Sequence, residues 1–429
     1  MSNTNESEAG AAVDREKGGD ALAILKRRGF VQQCSNEEGL EEALAAEPVT
    51  YYVGFDPTGS SLHVGHLVPL MAMAHLQQAG HRAIALIGGG TARIGDPSGK
   101  TEMRRILSVE EIGRNAKRFR AQIARFLDFS NDRAVMIDNA DWLAGLNYID
   151  FLRDIGRHFS VNRMLSFEAY RQRLEKGLSF IEFNYQLLQS YDFLVLFERH
   201  GCALQMGGDD QWGNIVSGIE LIRRIKGREA FALTSPLVTR ADGKKMGKTE
   251  KGALFLDPEI VAPYDFYQYW VNIPDTDTGK FLKLFTFLPL EEIDELASLE
   301  GSEINRAKEV LAYELTKIVH GRQSAEEARE TSLSVFRDRG GAVDLAGMPS
   351  MQVAADKIRS GIGVIDLFAS SELCGSKSEA RRLVVQGGAY VNDRNIRDQD
   401  TLIDDTWVCD RVIILRAGKK RYFKVEVTG

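Results

Sequence analysis

The chain has little cysteine and no arrangement of it: Cys34, Cys202, Cys374 and Cys409 stand far apart among 429 residues, with no C-x-x-C pair. Such spacings leave no basis for a disulfide framework or a thiolate zinc site and point to four reduced thiols. No apolar run approaches membrane-spanning length. Met1 to Asp20 is polar and rich in small residues, without the basic start and apolar core of a secretory signal. It is expected to be a flexible tail on a cytoplasmic protein. A net charge of -7 gives no whole-chain nucleic-acid signature, and no repeat recurs at a fixed period. Two phosphate-loop signatures are also missing. A Walker A loop needs a glycine five positions before its Gly-Lys pair. Gly247-Lys248-Thr249 has Asp242 there, and Gly99-Lys100-Thr101 has Ile94. G-x-G-x-x-G fails after Ile87, where Arg93 takes the place of the third glycine.

What is present is a soluble globular composition, 44% hydrophobic and 27% charged, long enough for two or three domains. Charge is uneven. From Ile362 onward 11 Lys and Arg face 10 Asp and Glu, against 43 and 51 in the remainder. A neutral-to-basic end on an acidic body hints at a local anionic partner.

The stretch Tyr51-Tyr52-Val53-Gly54-Phe55-Asp56-Pro57-Thr58-Gly59, followed by His63-Val64-Gly65-His66, organises the chain. It reads as a short buried strand, a turn, and the start of an apolar helix that stops at Gly80. Imidazoles and amides at a helix start suit phosphate, and Gly65 lets a ligand approach the backbone closely. Ala83 to Ile87 is a continuous apolar run of the buried parallel-strand kind, ending in Gly88-Gly89-Gly90. Strand, helix, strand and Gly-rich loop are the grammar of an open α/β sheet, which binds ligands beyond the carboxyl ends of its strands.

Further along, Ser108 to Leu127 reads as an amphipathic helix and Ala134 to Ile137 as a strand. Asp141 to Phe159, Arg163 to Lys176 and Ile181 to Arg199 read as helices, and Ala203 to Met206 as a strand before Gly207-Gly208-Asp209-Asp210-Gln211-Trp212. Pro263 to His320 is helical, Phe336 to Arg359 shows little periodicity, and Ile362 to Gly429 mixes two helices with short strands. Ser376 or Ser378 suits the N-cap of the second of those helices.

Asp242-Gly243-Lys244-Lys245-Met246-Gly247-Lys248-Thr249 has the composition of a basic loop able to neutralise a polyphosphate, its glycines giving freedom to close. H-x-G-H and this lysine loop together resemble the class I aminoacyl-tRNA synthetases, standing where that family carries its HIGH and KMSKS motifs. The intervening stretches narrow the resemblance to the bacterial tyrosyl-tRNA synthetases, from about Asp20 to the C-terminus. The sequence pattern and this resemblance together divide the chain into a flexible tail at 1–20 and a Rossmann-like, doubly wound α/β catalytic domain at 21–250. That domain would hold a helical dimerisation insertion at about 141–176. An α-helical domain at 251–335, a linker at 336–361 and a small α+β RNA-binding domain at 362–429 would follow. Gly247 and Thr249 depart from the serines of KMSKS, which leaves the hydroxyl contact to Thr249.

The resemblance also assigns residues. Tyr52 and Asp192 stand where the family pairs the phenol of tyrosine, and an ionised Asp192 would accept its proton. Tyr185, Gln189 and Asp192 fall on one helix face. The first two, with Asp96, match the acceptors of the substrate ammonium. Asp56 and Gln211 match residues that orient bound substrate, Asp210 the ribose-binding carboxylate, and His66 a neighbour of the nucleotide. Thr58 and His63 match the contacts to the terminal phosphate, and Lys100, Arg104, Lys245, Lys248 and Thr249 mobile basic elements. ATP would be a substrate, with Mg2+ carried on its phosphates and no protein metal cluster. L-tyrosine, tRNA(Tyr) and a second copy of the chain are the expected partners, with no membrane. Lys377 and Arg381, one helical turn apart, and the adjacent Arg382 would meet tRNA backbone.

Three other readings are weaker. A tryptophanyl enzyme is disfavoured by Tyr52 and Asp192 and by the C-terminal domain. A small-molecule nucleotidylyltransferase shares H-x-G-H but lacks the lysine loop. A non-catalytic RNA-binding relative would be expected to lose His63, His66 or Lys248.

Overall fold

The structure, a computed structural model, describes residues 21–98, 106–175, 177–239, 246–249, 252–337, 348–392, 394–409, 411–418 and 421–428. The expected tail at 1–20, together with Lys100, Arg104 and Lys245, lies outside these residues.

Strands β1 (Gln33–Cys34), β2 (Thr50–Phe55), β3 (Arg82–Ile87), β4 (Ala134–Asp138), β5 (Cys202–Gly208) and β6 (Phe231–Ser235) form one sheet in the order β1-β6-β5-β2-β3-β4. All neighbours pair in parallel except the edge strand β1, which runs antiparallel to β6. The run Ala83-Ile84-Ala85-Leu86-Ile87 in β3 is buried throughout, because helices cover both faces and no position needs to be polar. Side chains alternate between those faces. Tyr51 donates its hydroxyl to the Met73 carbonyl of the Leu67–Gln78 helix on one side (2.5 Å). Tyr52 packs on Phe193 of the Tyr185–His200 helix on the other (5.4 Å between rings).

The order of the strands reverses at β2. The chain builds outward through β3 and β4 on one side and through β5 and β6 on the other. A crevice beyond the carboxyl ends of β2 and β5 is the ligand-binding place of such a sheet. After it, Lys248–Thr249 (β7) pairs with Gly252–Ala253 (β8).

The expected helix at Asp141–Phe159 is broken into Ala140–Leu143, Tyr148–Asp154 and a short turn at Gly156–His158. Asn147 causes the break by accepting from the Ile149 amide (3.0 Å), which starts a new helix there. The expected helix at Arg163–Lys176 is likewise two, Val161–Ser166 and Glu168–Leu174.

The chain divides into two compact units, Met1–Val261 with Asn272–Val319, and Ala262–Val271 with His320–Gly429. The helices read as one domain at 251–335 are therefore shared. Thr278–Phe285 and Leu290–Ala297 belong with the sheet, while Pro263–Val271 packs along Arg322–Arg337, with Gln268 Nε2 donating to Ser332 Oγ (2.8 Å).

In the second unit, β9 (Ser350–Ala354), β10 (Ile362–Gly363), β11 (Ala389–Val391), β12 (Arg394–Ile396), β13 (Leu402–Ile403), β14 (Val412–Ala417) and β15 (Arg421–Thr428) follow. Five of them make a sheet in the order β12-β11-β14-β15-β9, and β10 pairs with β13. The helices Val364–Ser370 and Lys377–Val385 share its core of Val364, Phe368, Val384, Leu415 and Phe423. Ser376 is the N-cap, accepting from the Glu379 amide (3.2 Å). β9 corrects the reading of 336–361 as a linker, because Ser350–Ala354 pairs in parallel with β15. Met351 and Val353 are half-buried between exposed neighbours, an alternation too short to stand out without its partner strand.

Candidate active site

Of the described residues singled out in the sequence, Tyr52 lies on β2, Asp56, Asp96 and Gln211 lie in the segments that follow β2, β3 and β5, and Tyr185, Gln189 and Asp192 lie on the Tyr185–His200 helix. Asp56 follows β2. Its two oxygens accept from Thr91 Oγ1 (2.6 Å) and from the Tyr185 hydroxyl (2.8 Å). Having donated its proton to Asp56, the Tyr185 oxygen keeps lone pairs for a cation. Asp96 is buried, and accepts from the Ser98 amide (2.9 Å) and from Gln211 Nε2 (2.7 Å). Burial, opposed by those donors and helped by nearby Asp56, pushes the Asp96 carboxyl up to about 6. Gln189 Oε1 accepts from Asn214 Nδ2 (3.0 Å), which also reaches Gln211 Oε1 (3.3 Å). Asp96, Tyr185, Gln189 and Gln211 thus converge as an acceptor-rich pocket, with Asn214 as a joint that the sequence did not reveal.

Asp192 and Tyr52 lie deeper. Asp192 is buried, and both its oxygens accept, Oδ2 from Asn139 Nδ2 (2.9 Å) and Oδ1 from Trp142 Nε1 (2.7 Å). Burial drives its carboxyl up to about 8, while the two donors pull it down and Asp56 and Asp138 push it further up. The Tyr52 side chain is 1% exposed, and its hydroxyl has no hydrogen-bond partner among the described residues. Burial first, then the charge of Asp192, hold this phenol well above its ordinary range, so it stays protonated. Gln205, opposite Tyr52 in the β2–β5 register and 2% exposed, also leaves its Oε1 without a partner. Buried polar atoms of this kind are costly unless something arrives to satisfy them.

The structure separates the neighbours Asp209 and Asp210. Asp209 accepts from Gln33 Nε2 (2.6 Å) and Thr234 Oγ1 (3.0 Å), tying the edge strand β1 to its neighbour β6. Asp210 takes a longer bond from Gln211 Nε2 (3.3 Å) and belongs to the turn Asp209–Gln211 that follows β5.

The turn Val64–His66 is fixed by its histidines. His63 Nδ1 accepts from the Gly65 amide (3.0 Å), and His66 Nδ1 accepts from the His63 amide (3.1 Å). A side chain at Gly65 would place its first carbon 2.8 Å from His63 Cε1. The space read as room for a ligand is therefore held by the imidazole of His63 itself.

The lysine motif is knit to this turn through the backbone. The Leu254 amide donates to the Gly247 carbonyl (2.6 Å), the Val64 amide to the Leu254 carbonyl (2.9 Å), and the Leu256 amide to the Leu62 carbonyl (2.9 Å). Gly247 has φ +75°, and a side chain there would sit 3.1 Å from Val64 Cβ. That explains the departure from the serine of the family motif: an L-residue would be strained and crowded at this position. Lys248 and Thr249 belong to β7 beside this junction.

Lys377, Arg381 and Arg382 are elsewhere, exposed on the Lys377–Val385 helix, where Lys377 pairs with Asp366 (2.6 Å). On the same domain Arg416 lies 3.6 Å over the Tyr390 ring, a basic-aromatic stack that the sequence did not suggest. Asn139, Trp142, Thr91 and Asn214 were also missed. Asn139 follows β4 directly and Trp142 lies on the short helix Ala140–Leu143 after it, and the rule that ligands sit beyond strand ends was the available signal for them.

Comparison with known proteins is consistent across the chain. Residues 44–337 match the family described as tRNA synthetases class I (W and Y), and residues 342–425 the tyrosine–tRNA ligase C-terminal domain. The tyrosine–tRNA ligase of Caldanaerobacter subterraneus subsp. tengcongensis is 52% identical over 406 residues, covering 95% of this chain and 99% of the relative. That of Acetivibrio thermocellus is 53% identical over 403 residues, covering 94% and 98%. Among solved structures, a C-terminally truncated mitochondrial tyrosyl-tRNA synthetase from Aspergillus nidulans superposes with a TM-score of 0.65 at 27% identity, over 72% of this chain and 92% of that one. With its crevice at β2, its joined H-x-G-H and lysine motifs and these matches over nearly its full length, the chain belongs to the class I tRNA synthetases, in the tyrosine–tRNA ligase group.

Proposed function

We propose that the crevice activates L-tyrosine with ATP and then passes the tyrosyl group to the 3'-terminal ribose of tRNA(Tyr). The observation that carries this reading is Asp192, a buried carboxyl held by two donors, with the buried Tyr52 hydroxyl, which has no hydrogen-bond partner among the described residues. A substrate phenol would donate to Asp192 and meet Tyr52, whereas phenylalanine would leave both unsatisfied. Asp96, Tyr185 and Gln189 would accept from the ammonium group, with Gln211 bracing Asp96. Asp210 would take the ribose hydroxyls.

The substrate carboxylate is ionised at neutral pH, so it attacks the α-phosphorus without a protein base, and pyrophosphate leaves in line. What the protein must supply is alignment and compensation of the charge that grows on the leaving group. Thr58, His63, His66, Lys245, Lys248 and Thr249 would do this from the joined motifs, with Lys100 and Arg104 from the segment after Asp96. Magnesium would ride on the triphosphate, whose oxygens and water are its usual ligands. Lys377, Arg381 and Arg382 would meet tRNA phosphates.

A homodimer through the 141–176 insertion is part of the same proposal. Tyr148, Ile149, Val161 and Leu174 are exposed there, followed by Phe180 at 70% exposure, an apolar surface of the kind that marks an interface. No helix among the described residues is long and apolar enough to cross a membrane.

The test is exchange of labelled pyrophosphate into ATP with each amino acid in turn, without tRNA. Tyrosine alone should support it. Exchange with tryptophan instead, or with none, overturns the assignment.

A further inference from the structure

The helix Val109–Ile123 buries two amides, Asn115 and Gln122, on a face otherwise made of Ile112, Ala116, Phe119 and Ile123. Apolar residues would satisfy packing there, and a buried amide is unfavourable unless it is hydrogen-bonded. Both are bonded, and to the same short loop. Asn115 Nδ2 donates to the Pro57 carbonyl (3.1 Å). Gln122 Oε1 accepts from the Leu62 amide (2.8 Å), and its Nε2 donates to Ser61 Oγ (3.2 Å). Between these residues Phe119 presents its ring to His66, 6.1 Å between centroids and close to edge-on.

The loop joins β2 to the Val64–His66 turn and lies outside the sheet, bridged to the chain at its end through His63 and Phe255. Its Pro57 carbonyl and Leu62 amide would otherwise be buried backbone groups in search of partners. Thr58 follows the first anchor by one residue and His63 follows the second by one residue.

We propose that Asn115 and Gln122 are positioning residues for the activation step, clamping the Pro57–Leu62 backbone so that Thr58 and His63 meet the terminal phosphate as charge develops on it. This rests on the function proposed above. Neither side chain touches the groups assigned to tyrosine, so their effect should fall on the rate and not on amino-acid affinity. A displacement of about 1 Å at such a site can cost on the order of a hundredfold in rate.

The experiment compares wild type, Gln122→Ala, Gln122→Glu and Asn115→Ala in the full chain. It measures kcat for tyrosine-dependent pyrophosphate exchange, tyrosine Kd by equilibrium dialysis, and thermal melting. Gln122→Ala should lose about 30- to 100-fold in kcat, with tyrosine Kd within about threefold. Gln122→Glu keeps an acceptor for the Leu62 amide and should recover to within about fivefold of wild type. Asn115→Ala should repeat the kcat-only loss, and it decides the matter if Gln122→Ala does not fold. The proposal is overturned if the folded alanine variants keep kcat within threefold, if kcat and tyrosine affinity fall in proportion, or if the glutamate variant is as slow as the alanine one. Absence of tyrosine-dependent exchange in wild type overturns the function itself, and this proposal with it.

Discussion

Trp142→Phe is the sharpest perturbation of the tyrosine pocket, because it removes one proton donor and leaves an aromatic ring. The indole Nε1 donates to Asp192 Oδ1 at 2.7 Å, with Asn139 holding the other oxygen at 2.9 Å. A hydrogen bond to a charged group contributes about 1.5–3 kcal/mol. At about 1.4 kcal/mol per tenfold, tyrosine should bind about 10- to 150-fold more weakly. The pH profile separates this cause from lost packing. The Asp192 carboxyl already lies up to about 8, and losing a donor to its ionised form moves it higher still. Tyrosine binding that needs Asp192 as an acceptor should therefore weaken most at low pH and recover as pH rises. Equilibrium dialysis with labelled tyrosine between pH 6 and 8.5, beside a phenylalanine competition, measures both effects. Binding within threefold of wild type, or the same loss at every pH, would refute the reasoning.

Other outcomes follow from single features. Asp192 and Asp96 have folded-state values raised above their unfolded ones, so each contributes stability at low pH that is lost as pH rises through the interval up to about 8 and about 6. Melting of the unliganded protein from pH 4.5 to 8 should show a downward contribution that Asp192→Asn removes; an unchanged slope in that variant contradicts it. Arg173 and Glu182 form a two-point ion pair at 4% and 3% side-chain exposure. Arg173→Leu should cost about 3–5 kcal/mol by leaving Glu182 buried and unpaired, read by denaturant melts. Gly247→Ala should lower the exchange rate while tyrosine affinity stays within about twofold, since φ +75° and Val64 both oppose a side chain there, at about 1–2 kcal/mol of strain. A chain ending before β9 should keep exchange and lose tRNA charging; equal loss of both would refute a separate tRNA role for that domain.

Tyr52, Asp96, Tyr185, Gln189, Asp192 and Gln211 were legible through the family resemblance, which assigns each by its position; only the shared helix face of Tyr185, Gln189 and Asp192 is readable from the chain itself. Asn139 and Trp142 were not. They act through Asp192, some 50 positions later in the chain, and nothing local marks an asparagine or a tryptophan as a donor to a remote carboxylate. Asp209 and Asp210 look alike in sequence, and only the approach of Gln33 and Thr234 shows which is structural. β9 escaped for the same reason at the level of fold, since its partner β15 lies some 70 residues away. The glycine at 247 runs the other way: it seemed a departure from a motif, and its left-handed backbone beside Val64 accounts for it.

The central place of β2 also sets a timetable. Its two neighbours are β3, some 30 residues later, and β5, some 150 residues later. At roughly 5–20 residues per second of synthesis, Tyr51-Tyr52-Val53 waits about 8–30 s with one edge unpaired. A long apolar edge of that kind invites pairing with another nascent chain. The strand that ends as the seam of the active site is therefore, while the protein is being made, its most exposed liability, and slowed elongation between residues 88 and 202 should increase aggregation more than the same delay after residue 208.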